Sequence, residues 1–140
     1  MRKSLKVLSG VIIVVVVALT YVWPYIVMEF AGSAHYTEQD RREYDFYTPD
    51  ILREMPRISS HYDFDFANIT GPASLVYAVR YYDTDDSSKV EDYLNLMGYK
   101  KQGTCHIEAV CWRRRDPHEI VTVSTLESPK AILVSVIYNF

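Results

Sequence analysis

The run Val7–Met28, VLSGVIIVVVVALTYVWPYIVM, holds 22 residues without a charge, and it limits the rest of the chain more than any other feature. A helix of that length rises about 33 Å, enough for a hydrocarbon core of about 30 Å. Arg2, Lys3 and Lys6 precede it, a basic flank shared by anchors and by signal peptides. A signal peptide has a shorter apolar region, and Gly32-Ser33-Ala34 stands too far downstream to be its cleavage site. Tyr21, Trp23 and Tyr25 suit the interfacial belt of an uncleaved span instead. With no cysteine near residue 20, a lipoprotein anchor is excluded. We therefore expect a transmembrane anchor over residues 7–30, with membrane contact through 7–28, following a short basic tail, 1–6.

Orientation follows from the basic residues. Three stand before the run, and the ten residues after it hold none. The positive-inside bias puts the N-terminus in the cytoplasm and exports the remainder. The expected location is the inner (plasma) membrane, crossed once. Of the 15 Lys/Arg and 18 Asp/Glu, residues 31–140 keep 12 and 17, a net charge of −5. An acidic exported domain is a poor partner for nucleic acid.

Residues 31–60 have many charges and no sustained apolar period, which predicts a solvated stalk. Thr48-Pro49 starts a short helix in it, stopped by Pro56. A compact domain follows over 61–140. In HYDFDF, Tyr62, Phe64 and Phe66 alternate with aspartates and predict a half-buried strand. SLVYAVRYY and AILVSVIY are apolar on both faces and predict central strands. Ser88 and Glu91 form a capping box before Val90, Tyr93, Leu94 and Met97, a helical stripe that Gly98 ends. The connectors DPHE and ESPK read as hairpin turns. The expected fold class is α+β: one helix on a mainly antiparallel sheet of four or five strands.

No sequence pattern of a catalytic site occurs. There is no Gly-x-Ser-x-Gly elbow, phosphate loop or His-Glu-x-x-His, so we expect no enzyme, cofactor or catalytic residue. His35, His61 and His118 stand where exposed polar residues normally stand. Cys105, His106, Glu108, Cys111 and His118 offer zinc ligands, but the gap between the cysteines misses the usual spacing. The carboxylates of Asp83–Glu91 lack the glycine and spacing of a calcium loop. No metal is expected at either place.

CHIEAVCWRRRD remains as the richest segment. An exported domain with two cysteines favours a Cys105–Cys111 disulfide, which requires CHIEAVC to double back. The alternative is an unbroken strand from Gln102 to Arg115 with Cys105, Ile107, Ala109 and Cys111 on one buried face; the two exclude each other. Arg113, Arg114 and Arg115 resist burial, so CWRRR is expected at a sheet edge. Trp112 and the three arginines are the candidate binding residues, since Trp and Arg dominate binding hot spots. Twelve tyrosines, among them Tyr36, Tyr44, Tyr47, Tyr62 and Tyr82, suit an interface as well as they suit a small core.

In its general build the chain resembles small single-pass envelope proteins of Gram-negative bacteria, some of which are immunity proteins. That resemblance rests on architecture and assigns no residue. It implies a protein partner, either a delivered toxin or, alternatively, an envelope complex in which the chain is a structural accessory subunit. A hydrolase with an unfamiliar site ranks third.

Overall fold

The computed structural model describes residues 1–71, 73–106 and 109–139, apart from the side chains of Thr104 and His106. The chain forms two units, Met1–Ala31 and Gly32–Phe140. The first is helix α1, Arg2–Glu29. It is long and apolar enough to cross a membrane. Its valines, isoleucines and leucines are exposed, and Met28 is its only buried residue. A helix exposing apolar side chains all round is suited to lipid rather than to water or a protein core. Pro24 lies within it.

In the second unit β1 is Ser33–Tyr36, α2 Arg41–Tyr47, α3 Asp50–Arg53, β2 Tyr62–Thr70 and β3 Ala73–Tyr82. Then come α4 Ser88–Leu96, β4 Lys100–His106, β5 Ala109–Arg113, β6 Glu119–Glu127 and β7 Lys130–Asn139. The strands form one antiparallel sheet in the order β1-β2-β3-β7-β6-β5-β4. It is two meanders, β1-β2-β3 and β4-β5-β6-β7, joined at the centre where β3 pairs with β7. Helix α4 carries the chain from the centre to the far edge. The α+β class is as expected, but the sheet has seven strands rather than four or five.

Side-chain alternation assigns the two faces of the sheet. Phe64, Val79, Tyr81, Val121, Val134, Val136 and Trp112 share one face and are almost fully buried. The helices cover it. Tyr44 of α2 meets Phe64 edge-on at 5.3 Å, and Tyr47 stacks on Phe66 at 4.7 Å. The Tyr93 hydroxyl of α4 donates to the Ile51 carbonyl of α3 at 2.9 Å. Each fully buried aromatic here contributes about 1.5–3 kcal/mol through apolar burial. The opposite face carries Asp63, Asp65, Arg80 and Tyr82.

Of the stalk expected over 31–60, residues 32–60 are not a stalk. They belong to the folded unit: β1 pairs with β2, and Tyr36, Tyr44, Tyr47, Leu52 and Met55 are buried. Their tyrosines made the segment look polar, yet Tyr36, Tyr44 and Tyr47 bury their rings, and Tyr36 and Tyr44 partner their hydroxyls. Tyr36, for example, shares a hydrogen bond with Thr48 at 2.8 Å. Arg57 then fastens the segment. It donates to the Leu52 carbonyl at 2.7 Å and to the Tyr44 hydroxyl at 3.0 Å, while its guanidinium lies 5.2 Å from the centre of the Tyr62 ring. Three helices therefore pack on the sheet where one was expected.

Helix α4 buries Val90, Tyr93 and Leu94 as its pattern requires. The expected capping box does not form. Ser87 is the cap residue, and the Asp86 carboxylate accepts the Ser88 N–H at 3.0 Å. Hydrogen bonding from the Ser88 side chain, and then from its N–H, holds the Asp86 carboxyl below its usual range. At the other end Gly98 takes φ 91°, and the Tyr99 N–H closes on the Leu94 carbonyl at 2.9 Å, as in a Schellman turn.

Cys105 and Cys111 form a disulfide, with Cα atoms 5.8 Å apart. CHIEAVC does double back: β4 and β5 are hairpin partners, which excludes the single long strand. Ile107 and Glu108 lie outside the described residues. Pairing runs Thr104 to Val110 and then His106 to Ala109, so Cys105 is the extra residue of a bulge. Gly103 at φ 93° starts this irregular part of β4 opposite Cys111. The bulge brings the cysteines within bonding range, about 4.4–6.8 Å. Closing so short a loop stabilises the domain by about 2–2.5 kcal/mol on the chain-entropy account. A disulfide leaves neither cysteine free to ligate zinc.

Candidate functional site

The expected edge position of CWRRR is corrected by the pairing. β5 is interior, held by β4 on one side and β6 on the other, and β4 is the edge. An interior strand tolerates the arginines because it ends at Arg113, so the triplet lies where the chain leaves the sheet. Trp112 is 2% exposed and faces the helix layer. It supports the site from beneath and is not open to a partner.

Arg113, Arg114 and Arg115 are exposed, and together with Met97, Gly98, Lys100 and Gln102 they line a groove of about 900 Å³. Two pieces of local structure build it. The Gly98 turn brings the start of β4 beside the end of β5, and the β4–β5 register sets Lys100 directly opposite Arg113. Like charges facing each other across a strand pair are destabilising. Among the described residues, Lys100, Arg113 and Arg115 form no ion pair. Arg113 makes only a long hydrogen bond, 3.3 Å, to the Pro117 carbonyl.

Arg114 is held differently. Its guanidinium lies 4.5 Å from the centre of the Tyr99 ring and 3.6 Å from the carboxylate of Glu119. It also donates to the Met97 carbonyl at 3.4 Å. Glu119 is 5% exposed and accepts a hydrogen bond from the Tyr99 hydroxyl. Burial, and then Glu119, push the Tyr99 hydroxyl well above its ordinary range and that of Tyr138 up to about 12. Both phenols therefore stay neutral at physiological pH and can donate to the carboxylate. Arg114 is thus largely compensated, whereas the other three cations of the groove face solvent.

The sequence-derived candidates separate accordingly. The structure brings the three arginines together and adds Lys100, but it removes Trp112. Glu119, Tyr99 and Lys100 had no local signal, because the sheet register alone brings them to the triplet. Of the suggested interface tyrosines, Tyr36, Tyr44 and Tyr47 are core residues. The acidic turn Asp83–Glu91 spends Asp86 on capping α4, and Asp85 pairs with Lys130 at 3.6 Å. No known protein family, curated protein or solved structure matches this chain.

Proposed function

We propose that the chain is a single-pass, membrane-anchored binding module of the inner membrane, whose exported domain holds an acidic segment of a partner protein in the basic groove. The supporting observation is Lys100 facing Arg113 across β4 and β5, with Arg115 beside them and no described counter-charge. Such an arrangement costs stability in the free domain and is relieved by an anion. On a domain of net charge −5, this local patch also selects against partners lacking matching charge. The length of α1 suits the anchor, and the disulfide suits an oxidising compartment. In its most concrete form the module is an immunity protein neutralising a delivered toxin.

The test is charge reversal. In detergent-solubilised full-length protein, the double variant Arg113→Glu, Arg115→Glu should fold with a melting temperature no lower than that of the wild type, since the new carboxylate at position 113 would face Lys100. Cross-linking from envelope membranes should retrieve an acidic partner with the wild type and lose it with the variant, a cost of at least about 2 kcal/mol. Equal capture by both proteins contradicts the reading. Capture that depends instead on the sequence of α1 identifies an accessory subunit assembled through its helix.

A further inference from the structure

On the face of the sheet opposite the helices, far from the groove in strand order, His35 of β1 stands opposite Asp65 of β2. The His35 Nδ1 lies 2.8 Å from the Asp65 carboxylate, a hydrogen bond. Its Nε2 lies 3.5 Å from Asp63 Oδ2. The three side chains could each give one ligand atom, all within 4.8 Å of one another. We propose that this is a binding site for a divalent transition-metal ion, zinc by preference, ligated by His35 Nε2 and the Asp63 carboxylate and supported by Asp65.

Three features carry the assignment. First, the imidazole is arranged as a metal ligand usually is. A carboxylate accepting from Nδ1–H fixes the tautomer that leaves a lone pair on Nε2. Second, the 3.5 Å gap is long for a hydrogen bond. Two ligands about 2.1 Å from one tetrahedral zinc stand about 3.4 Å apart, which is the gap observed. Third, Asp63 is 9% exposed, and its buried Oδ1 has no hydrogen-bond partner among the described residues. An ionised oxygen removed from water in this way calls for a cation.

The surrounding charges bear on how tightly an ion is held. Tyr82 donates its hydroxyl to Asp63 Oδ2 at 2.7 Å, which steadies that carboxylate. Arg80 is the register partner of Asp63, but it directs its Nη1 to the Tyr82 hydroxyl at 3.4 Å and forms no ion pair among the described residues. Two carboxylates against one guanidinium leave a net charge of about −1 for the ion. His35 is largely exposed, so water completes the coordination. The site is an open clip, not a closed structural cage. It ties four-residue β1, the first strand after the helix in sequence, to β2.

Isothermal titration of the metal-free, full-length protein in detergent with zinc chloride tests the proposal. One ion per chain should bind. His35→Ala should abolish that binding, and Asp65→Asn should weaken it by roughly 10–100-fold. His35 is exposed and Asp65 half-buried, and circular dichroism melts check that both variants remain folded. Hydrogen exchange of residues 33–36 should slow on zinc addition in the wild type and not in His35→Ala. Absence of binding at millimolar zinc overturns the site. So does stoichiometric binding that His35→Ala leaves unchanged, since that places the ion at another histidine. Neither result depends on the basic groove.

Discussion

Trp112→Ala should destabilise the folded unit by about 3–5 kcal/mol, enough to unfold much of it at physiological temperature. Trp112 is among the largest fully buried side chains and packs on the helix-covered face beside Val121. Truncation leaves a cavity between the helix layer and a strand paired on both sides, by β4 and β6, so little can relax into it. The buried Trp112 Nε1–H has no hydrogen-bond partner among the described residues. Trp112→Phe therefore removes an unsatisfied donor along with part of the volume and should cost far less. Urea denaturation of the pair provides the check. As an exposed hot spot, Trp112 would lose binding on truncation and keep stability; equal stability of Trp112→Ala and wild type would restore that reading.

The second large effect belongs to Glu119. Glu119→Ala removes the acceptor for the Tyr99 hydroxyl and the counter-charge for Arg114 in one step. A buried donor left unpaired costs about 1–3 kcal/mol, and the freed guanidinium adds to that. We expect a total loss of about 2–4 kcal/mol, discounted because Arg114 is partly exposed and screened. Glu119→Gln keeps an acceptor for Tyr99 and should recover about half of the loss. Arg114 released from Glu119 also raises the positive charge of the groove. Glu119→Gln should therefore hold an acidic partner at least as tightly as the wild type while melting at a lower temperature. A parallel fall in both quantities would show that Arg114 serves the groove only when locked onto Glu119.

How far the fold could be read from sequence depended on whether its signals were local. Helix α1, β2, β3 and α4 each state their pattern within one continuous segment, as an uncharged run, an alternation or a helical stripe. The segment from Ser33 to Arg57 did not, because its apolar faces are made of tyrosine and its helices are short. Tyr44 and Tyr47 in α2, surrounded by Arg41, Arg42, Glu43 and Asp45, look like a solvated linker until Phe64 and Phe66 are placed beneath them. YKKQG marks the start of β4, but KKQG offers no apolar face, so its place at the edge of the sheet has no sequence signal.

The candidate sites divide along the same line. Three consecutive arginines are visible in any reading, but the cation opposing them, Lys100, depends on the β4–β5 register. Strict alternation places Asp63 and Asp65 on one face, yet nothing near them in sequence points to His35. The disulfide was legible as one of two exclusive geometries. The bulge at Cys105 decides between them, and a bulge has no sequence mark beyond Gly103.

The central claim is a folded, disulfide-bonded domain held across a membrane from its basic N-terminus, and protease access in sealed vesicles of known orientation tests it most directly. In right-side-out inner-membrane vesicles, protease should digest the residues after the helix and leave a short membrane-retained fragment containing Arg2–Glu29. In inverted vesicles the same residues should be protected until detergent is added. Digestion in inverted vesicles only would contradict the account.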